Sequence, residues 1–281
     1  MADMNNPAIQ RAADLIEDAD ALVVAAGAGM GIDSGLPDFR GPGGFWAAHP
    51  ALGRRGLEFY EVASPRTFET DPALAWGFYG QRLGLYRHTA PHAGFGIVKG
   101  WGARMFQGCR VFTSNVDGQF QRAGFSDDVI TECHGSIHHL QCSRPCCGDL
   151  WSSEDFAPAV DDETCTLLNA PPKCPWCGAI ARPNIMMFND MGWVDRRSKV
   201  QEASLRRWLG EAMRIVVIEL GAGTAIPSVR HFSHELVVNH GARLVRINPR
   251  EQSVPTQRDV PIAGPALAAL QTIATVLAGR R

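Results

Sequence analysis

Residues 21–26, Ala-Leu-Val-Val-Ala-Ala, carry no polar side chain and stop at Gly27. A run of this length without alternation is apolar on both faces. That fits a strand buried between two layers and argues against one with a solvated face. Residues 110–113, 215–220 and 244–247 also read as buried strands, and helical spacing marks 9–16, 91–104, 228–239 and 264–277. Strands alternating with helices predict an α/β fold, a Rossmann-like parallel sheet with helices on both faces.

Two stretches break the rhythm. Residues 42–90 are helical in pattern and aromatic, and within them Asp71-Pro72 pairs a capping side chain with a proline suited to the first helical position. Residues 137–183 are short polar segments that hold most of the cysteines. The pattern divides the chain into a Rossmann-like nucleotide-binding domain (1–41, 91–136 and 184–281), a helical insertion (42–90) and a small metal-binding module (137–183). A cleft is expected between the sheet and the module.

The eight cysteines are Cys109, Cys133, Cys142, Cys146, Cys147, Cys165, Cys174 and Cys177, six of them between 133 and 177. A chain of 281 residues buries enough surface to need no disulfide staples. Met1 to Asp20 lacks a basic start followed by an apolar core, so no secretory signal is read and a cytoplasmic location is expected. No run approaches the roughly 18 apolar residues of a membrane helix. Clustering then points to metal. Cys174-Pro-Trp-Cys177-Gly178 is a knuckle spacing that lets two thiolates converge on one ion. Its partner pair starts at Cys142 and ends at Cys146 or Cys147; the expected set takes Cys146 and leaves Cys147 spare. Four thiolates fill a tetrahedron and leave no open position, hence one structural zinc. A redox pair at Cys174 and Cys177 competes with this reading but lacks the strand–CxxC–helix context. Cys109 and Cys133 sit in or beside strand runs and read as core packing.

With 29 acidic and 27 basic residues, the net charge of −2 gives no electrostatic reason to expect nucleic acid or anionic membrane as a partner. Gly27-Ala28-Gly29-Met30-Gly31 follows the first strand, where backbone amides can approach a pyrophosphate. The usual dinucleotide fingerprint fails: Ile32 stands at its third glycine, and no acid lies about twenty positions on. A hydride-transferring dehydrogenase is therefore disfavoured, while an enzyme that consumes the dinucleotide stays open.

The segment Gly27-Ala-Gly-Met-Gly-Ile-Asp-Ser-Gly-Leu-Pro-Asp-Phe-Arg-Gly41 resembles the signature loop of the sirtuins, the NAD-dependent protein lysine deacylases. Further pieces follow in order: Pro91-His92-Ala93-Gly94 in part, Thr113-Ser-Asn-Val-Asp117 with Ala123-Gly124, Glu132-Cys-His134-Gly-Ser136, the cysteine pairs, and Arg182-Pro183 through Phe188. Gly221-Ala-Gly-Thr224 and Ile247-Asn248 echo two late nucleotide-contacting turns, so the likeness runs from about residue 20 to 275. It implies NAD as co-substrate, an acyl-lysine protein or peptide as partner, and deacylated lysine, nicotinamide and O-acyl-ADP-ribose as products. His134 is the implied general base, with Asn115 and Asp117 addressing the nicotinamide carboxamide. Gly27, Ala28, Gly29, Asp38, Phe39, Arg40, Ser114, Gly221 and Asn248 complete the implied cofactor site, and Phe188 belongs to the substrate loop. Zinc holds the small module.

Departures from the family pattern are Gly31 for Ser, Ser114 for Gln, and Asn189-Asp190 for Gly-Glu. Tyr79-Gly80-Gln81-Arg82 resembles the Tyr-x-x-Arg pair of sirtuins that remove succinyl and malonyl groups, which implies Tyr79 and Arg82 as acyl-binding residues. The competing reading is an amphipathic helix with Tyr79 half-buried and Arg82 solvated. At the level of function the rivals are an ADP-ribosyltransferase or NAD glycohydrolase, and a non-catalytic zinc module.

Overall fold

The computed structural model describes residues 4–37, 44 and 49–280. In chain order the described strands are β1 Ala21–Ala26, β2 Cys109–Thr113, β3 Ile130–Glu132, β4 Gly135–Cys142, β5 Trp151–Ser152, β6 Val160–Asp161, β7 Thr166–Leu167, β8 Ala181–Ile185, β9 Ile215–Leu220, β10 Arg243–Ile247 and β11 Val260–Ile262. The described helices are α1 Pro7–Glu17, α2 Gly29–Ile32, α3 Pro50–Arg54, α4 Phe59–Val62, α5 Pro65–Thr70, α6 Pro72–His88, α7 Ala93–Gly102, α8 Gln119–Arg122, α9 Arg196–Glu211, α10 Ser228–His240 and α11 Ala266–Gly279.

Six strands form one parallel sheet in the order β3-β2-β1-β9-β10-β11. The chain winds outward from β1 to β3, then returns to β9 and winds outward the other way. This reversal opens a crevice at the carboxyl ends of β1 and β9, the place where such sheets bind ligands. Every residue of β1 is buried, as its unbroken apolar run requires. Leu22, Val24 and Ala26 face one layer with Ile9, Phe95 and Ile273; Ala21, Val23 and Ala25 face the other with Leu205, Leu209 and Leu236.

Helix α6 starts where its sequence says it should: Asp71 Oδ1 accepts the Leu74 amide at 3.0 Å and Pro72 opens the first turn. It is buried on several sides, and a Cβ on Gly77 would lie 2.0 Å from the Cys165 carbonyl in the β6–β7 region. The second core holds Phe68, Trp76, Phe78 and Tyr79 from the helical insertion together with Ile137, Leu140 and Ala181 of the antiparallel sheet β5-β4-β8.

Among the elements that the sequence did not announce are two strands of the main sheet and one of its helices. β3 is only three residues long. β11 carries Pro261, which cannot donate to a ladder and is tolerated because β11 is an edge. α9 buries only Ser198, Leu205 and Leu209 of its sixteen residues, so its apolar stripe is too sparse to announce a helix. Among the described residues, no helix is long and apolar enough to cross a membrane.

Candidate active site and zinc centre

The turns after β1 and β9 touch backbone to backbone. Gly29 N–H donates to the Gly221 carbonyl at 3.0 Å, and Gly221 N–H donates to Ile247 at 3.1 Å. A Cβ on Gly29 would stand 2.7 Å from Gly221 Cα, and Gly221 itself sits at φ +59°. Any side chain there pushes the loops apart, so the glycines serve the close approach. A cavity of about 170 Å³ opens over them, lined by Ala28, Gly29, Asp33, Gly221, Thr224 and Asn248. Asn248 Nδ2 donates to Ala222 at 3.0 Å while its Oδ1 accepts the Arg250 and Glu251 amides, each at 2.9 Å. The crevice has the backbone-lined, side-chain-poor form that could admit a dinucleotide.

Ala28 also lines a second chamber of about 290 Å³. Its polar lining includes Ser114, Asn115, Asp117 and His134. Asn115 is held by two bonds: its Nδ2 donates to Gly27 at 3.0 Å, and its amide donates to Thr113 Oγ1 at 3.0 Å. Asp117 is buried, its Oδ1 accepting the Gln119 amide at 2.9 Å. Burial pushes its carboxyl up to about 6, against the Gln119 bond and the Arg82 charge, which pull the other way. His138 Nε2 donates to the Asp117 carbonyl at 3.0 Å. His134 lies between β3 and β4 with Nε2 3.0 Å from Ser228 Oγ, and its carbonyl accepts Met186 N–H at 3.0 Å. The implied residues Asp38, Phe39 and Arg40 lie outside the described residues.

Tyr79 and Arg82 line this same chamber. Tyr79 is 1% exposed, not half-buried. Arg82 is half-buried with its guanidinium 5.2 Å from the Phe78 ring centre, and its Nε and Nη2 donate to Tyr86 Oη at 3.1 and 2.8 Å. The solvated-arginine reading of the helix is therefore not what the fold builds. Tyr86 lies one turn beyond Arg82 and was missed, although its spacing could have revealed it. Ser228, 94 residues from His134 in sequence, left no local signal.

Phe188 packs edge-on to Phe59 at 5.6 Å and its amide donates to Ala63 at 3.1 Å. The unusual Asn189-Asp190 now has a physical account. Asn189 adopts φ +55°, a left-handed conformation that Asn tolerates in place of Gly. Asp190 makes a bidentate pair with buried Arg182, at 2.7 and 2.8 Å, which fixes the loop after β8.

The Sγ atoms of Cys142, Cys146, Cys174 and Cys177 lie within 4.8 Å of one another. Cys142–Cys177 and Cys146–Cys174 are each 3.6 Å apart. Tetrahedral zinc with bonds of about 2.3 Å sets thiolates about 3.8 Å apart, so the quartet fits one structural zinc. Cys147 stands outside this quartet, with Sγ 3.8 Å from that of Cys146. Gly178 at φ +72° closes the knuckle by donating to Cys174 O at 2.9 Å.

Residues 27–214 match the sequence profile of the Sir2 family. The chain belongs to that family. NAD-dependent protein deacylase 2 of Pyrobaculum aerophilum is 30% identical over 267 residues, covering 90% of this chain and 90% of its own length. NAD-dependent protein deacylase 1 of Pseudomonas aeruginosa is 31% identical over 258 residues, covering 90% and 92%. The crystal structure of a Sir2 homologue–NAD complex superposes with a TM-score of 0.71 at 22% identity, covering 96% of this chain and 94% of that one. The last likeness is one of fold.

Proposed function

We propose that this Sir2 enzyme removes acyl groups from lysine side chains of proteins or peptides at the expense of NAD, and that it favours acyl groups ending in a carboxylate. The observation that carries the reading is the sharing of one chamber by His134, Asn115 and Asp117 with Tyr79 and Arg82. NAD, when bound, supplies a ribose carbon from which nicotinamide leaves and to which the acyl group passes.

The chain's own residues have separable tasks. The glycine crevice takes the dinucleotide along its backbone amides, with Asn248 beside it. Asn115, its Nδ2 turned to Gly27, keeps a carbonyl oxygen to accept from an amide. Asp117, at the chamber wall, adds a carboxyl whose protonation changes near neutrality. His134 would accept a proton from a ribose hydroxyl, Nε2 exchanging its present partner Ser228 Oγ, 3.0 Å away, for that hydroxyl. Phe59, Val116, Ile185 and Met187 wall the chamber with apolar surface that excludes water from an acyl-lysine stem.

An acyl carboxylate entering such a chamber loses hydration and needs a fixed cation. Arg82 offers forked donors already oriented by Tyr86. A charge-assisted bond contributes about 1.5–3 kcal/mol, or roughly 10- to 150-fold in preference. Peptides bearing acetyl-, malonyl- or succinyl-lysine, incubated with NAD and followed by mass spectrometry, test the reading. The expected result is succinyl removal at least as efficient as acetyl removal, with Arg82→Met losing it selectively. Equal losses on both acyl groups, or no desuccinylation by the parent, would leave Arg82 a packing residue.

A further inference from the structure

β3 is an edge strand, so one side of its backbone has no strand partner. Edge groups buried without partners are costly, and here a helix answers for the missing strand. Gln201 Oε1 accepts the Glu132 amide at 3.1 Å, and Ser198 Oγ donates to the Glu132 carbonyl at 2.8 Å. Thr131 Oγ1 reaches the Gln201 carbonyl at 3.4 Å. The Glu132 carboxylate, whose side chain is 1% exposed, pairs with Arg197 Nη2 at 2.5 Å. Three successive contacts from one face of α9 thus converge on a single residue, and His134 is the next residue but one.

The two residues that flank His134 are also confined, Cys133 before it and Gly135 after it. Cys133 N–H donates to Thr113 at 3.0 Å, and Gly135 turns at φ +79° with its Cα face against Asn184 O, where a Cβ would lie only 2.0 Å away. The histidine therefore hangs between two clamps, α9 before it and β8 after it. The second clamp is backbone pairing common to any sheet; the first is made of side chains.

We infer that Arg197, Ser198 and Gln201 of α9 are positioning residues for the reaction, holding Glu132 so that His134 keeps its reach to the chamber and to Ser228. Arg197 is not among the residues that line the chamber, and its ion pair is with Glu132. Its charge matters because an unpaired buried carboxylate is strongly unfavourable, and relief comes from taking up a proton, which alters its hydrogen bonds, or from moving the strand end toward water. A displacement of about 1 Å at a base costs up to 100-fold in rate. The inference rests on His134 being the base.

The test is steady-state deacylation, at a temperature well below the melting point of each variant, with NAD and an acyl-lysine peptide. His134→Ala comes first: loss of turnover in a folded protein supports the base, and retained turnover removes the premise. Given that loss, Arg197→Met is expected to lower kcat about 10-fold with both KM values within about twofold of the parent. The double variant Glu132→Gln/Arg197→Gln, in which two amides can bond without charge, is expected to recover most of that kcat. Parent-level kcat in Arg197→Met, a parallel rise of both KM values, or no recovery in the double variant would each overturn the inference. Should Arg197→Met fail to fold, Gln201→Leu carries the same question, with a kcat loss at unchanged KM expected and parent kinetics overturning it.

Discussion

Asp117 bears two opposed demands. The chamber calls for a polar group at its wall, and burial makes the charged form unfavourable. Its carboxyl is raised from 3.8 to about 6, with burial the leading cause. Between those values the folded state binds more protons than the unfolded one, so this residue's contribution falls as pH rises through the window and is fully unfavourable above it. The cost at pH 7.5 is about 3 kcal/mol. Asp117→Asn keeps the shape without the charge and is expected to raise the urea midpoint at pH 7.5 while lowering turnover. Unfolding at pH 4 should separate parent and variant far less, and an unchanged midpoint at pH 7.5 would contradict the buried charge. That such a residue belonged to the site was readable from Asn115-Val116-Asp117 in family register. Its burial and its raised pKa were not, since the burial that raises it comes from packing between segments distant in sequence.

At the scale of elements, the cysteine knuckle shows what spacing alone can and cannot resolve. Cys174-Pro-Trp-Cys177 fixed half of the quartet, but Cys146 and Cys147 are neighbours and both spacings were workable. The fold separates them by direction: Cys146 is 3.6 Å from Cys174, and Cys147 lies outside the cluster. Cys147→Ser is therefore expected to retain one zinc per chain, and Cys146→Ser to lose metal and destabilise the β5-β4-β8 sheet. Metal analysis by mass spectrometry with a melting curve reads both, and equal metal loss in the two variants would contradict the assignment. Helix α6 makes the complementary point. Its start was legible in Asp71-Pro72, whereas the choice between a solvated and a chamber-facing Arg82 depended on Tyr86 and Phe78 and on the module packed across the helix. α9 was missed because its work is polar: it satisfies an edge strand through Arg197, Ser198 and Gln201, and apolar periodicity does not register such a role.

For the whole molecule, the parallel sheet was legible wherever strands are buried on both faces, as in β1, β9 and β10. It was opaque at both edges, where β3 is short and β11 contains Pro261. The same deep burial sets how the molecule responds to acid. His49 and His139 are each held neutral, down to about 4 from 6.5, with burial the leading cause in both; nearby charges of Arg82 and Arg197 respectively act in the same direction. His92 and His138 are shifted down as well, again chiefly by burial. In each case the unfolded chain binds more protons below 6.5, so stability is present above that value and is lost as pH falls toward the folded pKa. Asp117 works in the opposite direction over its own window. Two histidines outweigh one carboxylate, and the net loss between pH 7.5 and pH 5 is about 2 kcal/mol. Urea denaturation at those two pH values is expected to show a lower midpoint at pH 5. Replacing His139 with Gln, which cannot gain a proton, removes about 2 kcal/mol of the loss and should nearly flatten the dependence. A midpoint that rises on acidification would mean that Asp117, and not the buried histidines, governs the fold's response to protons.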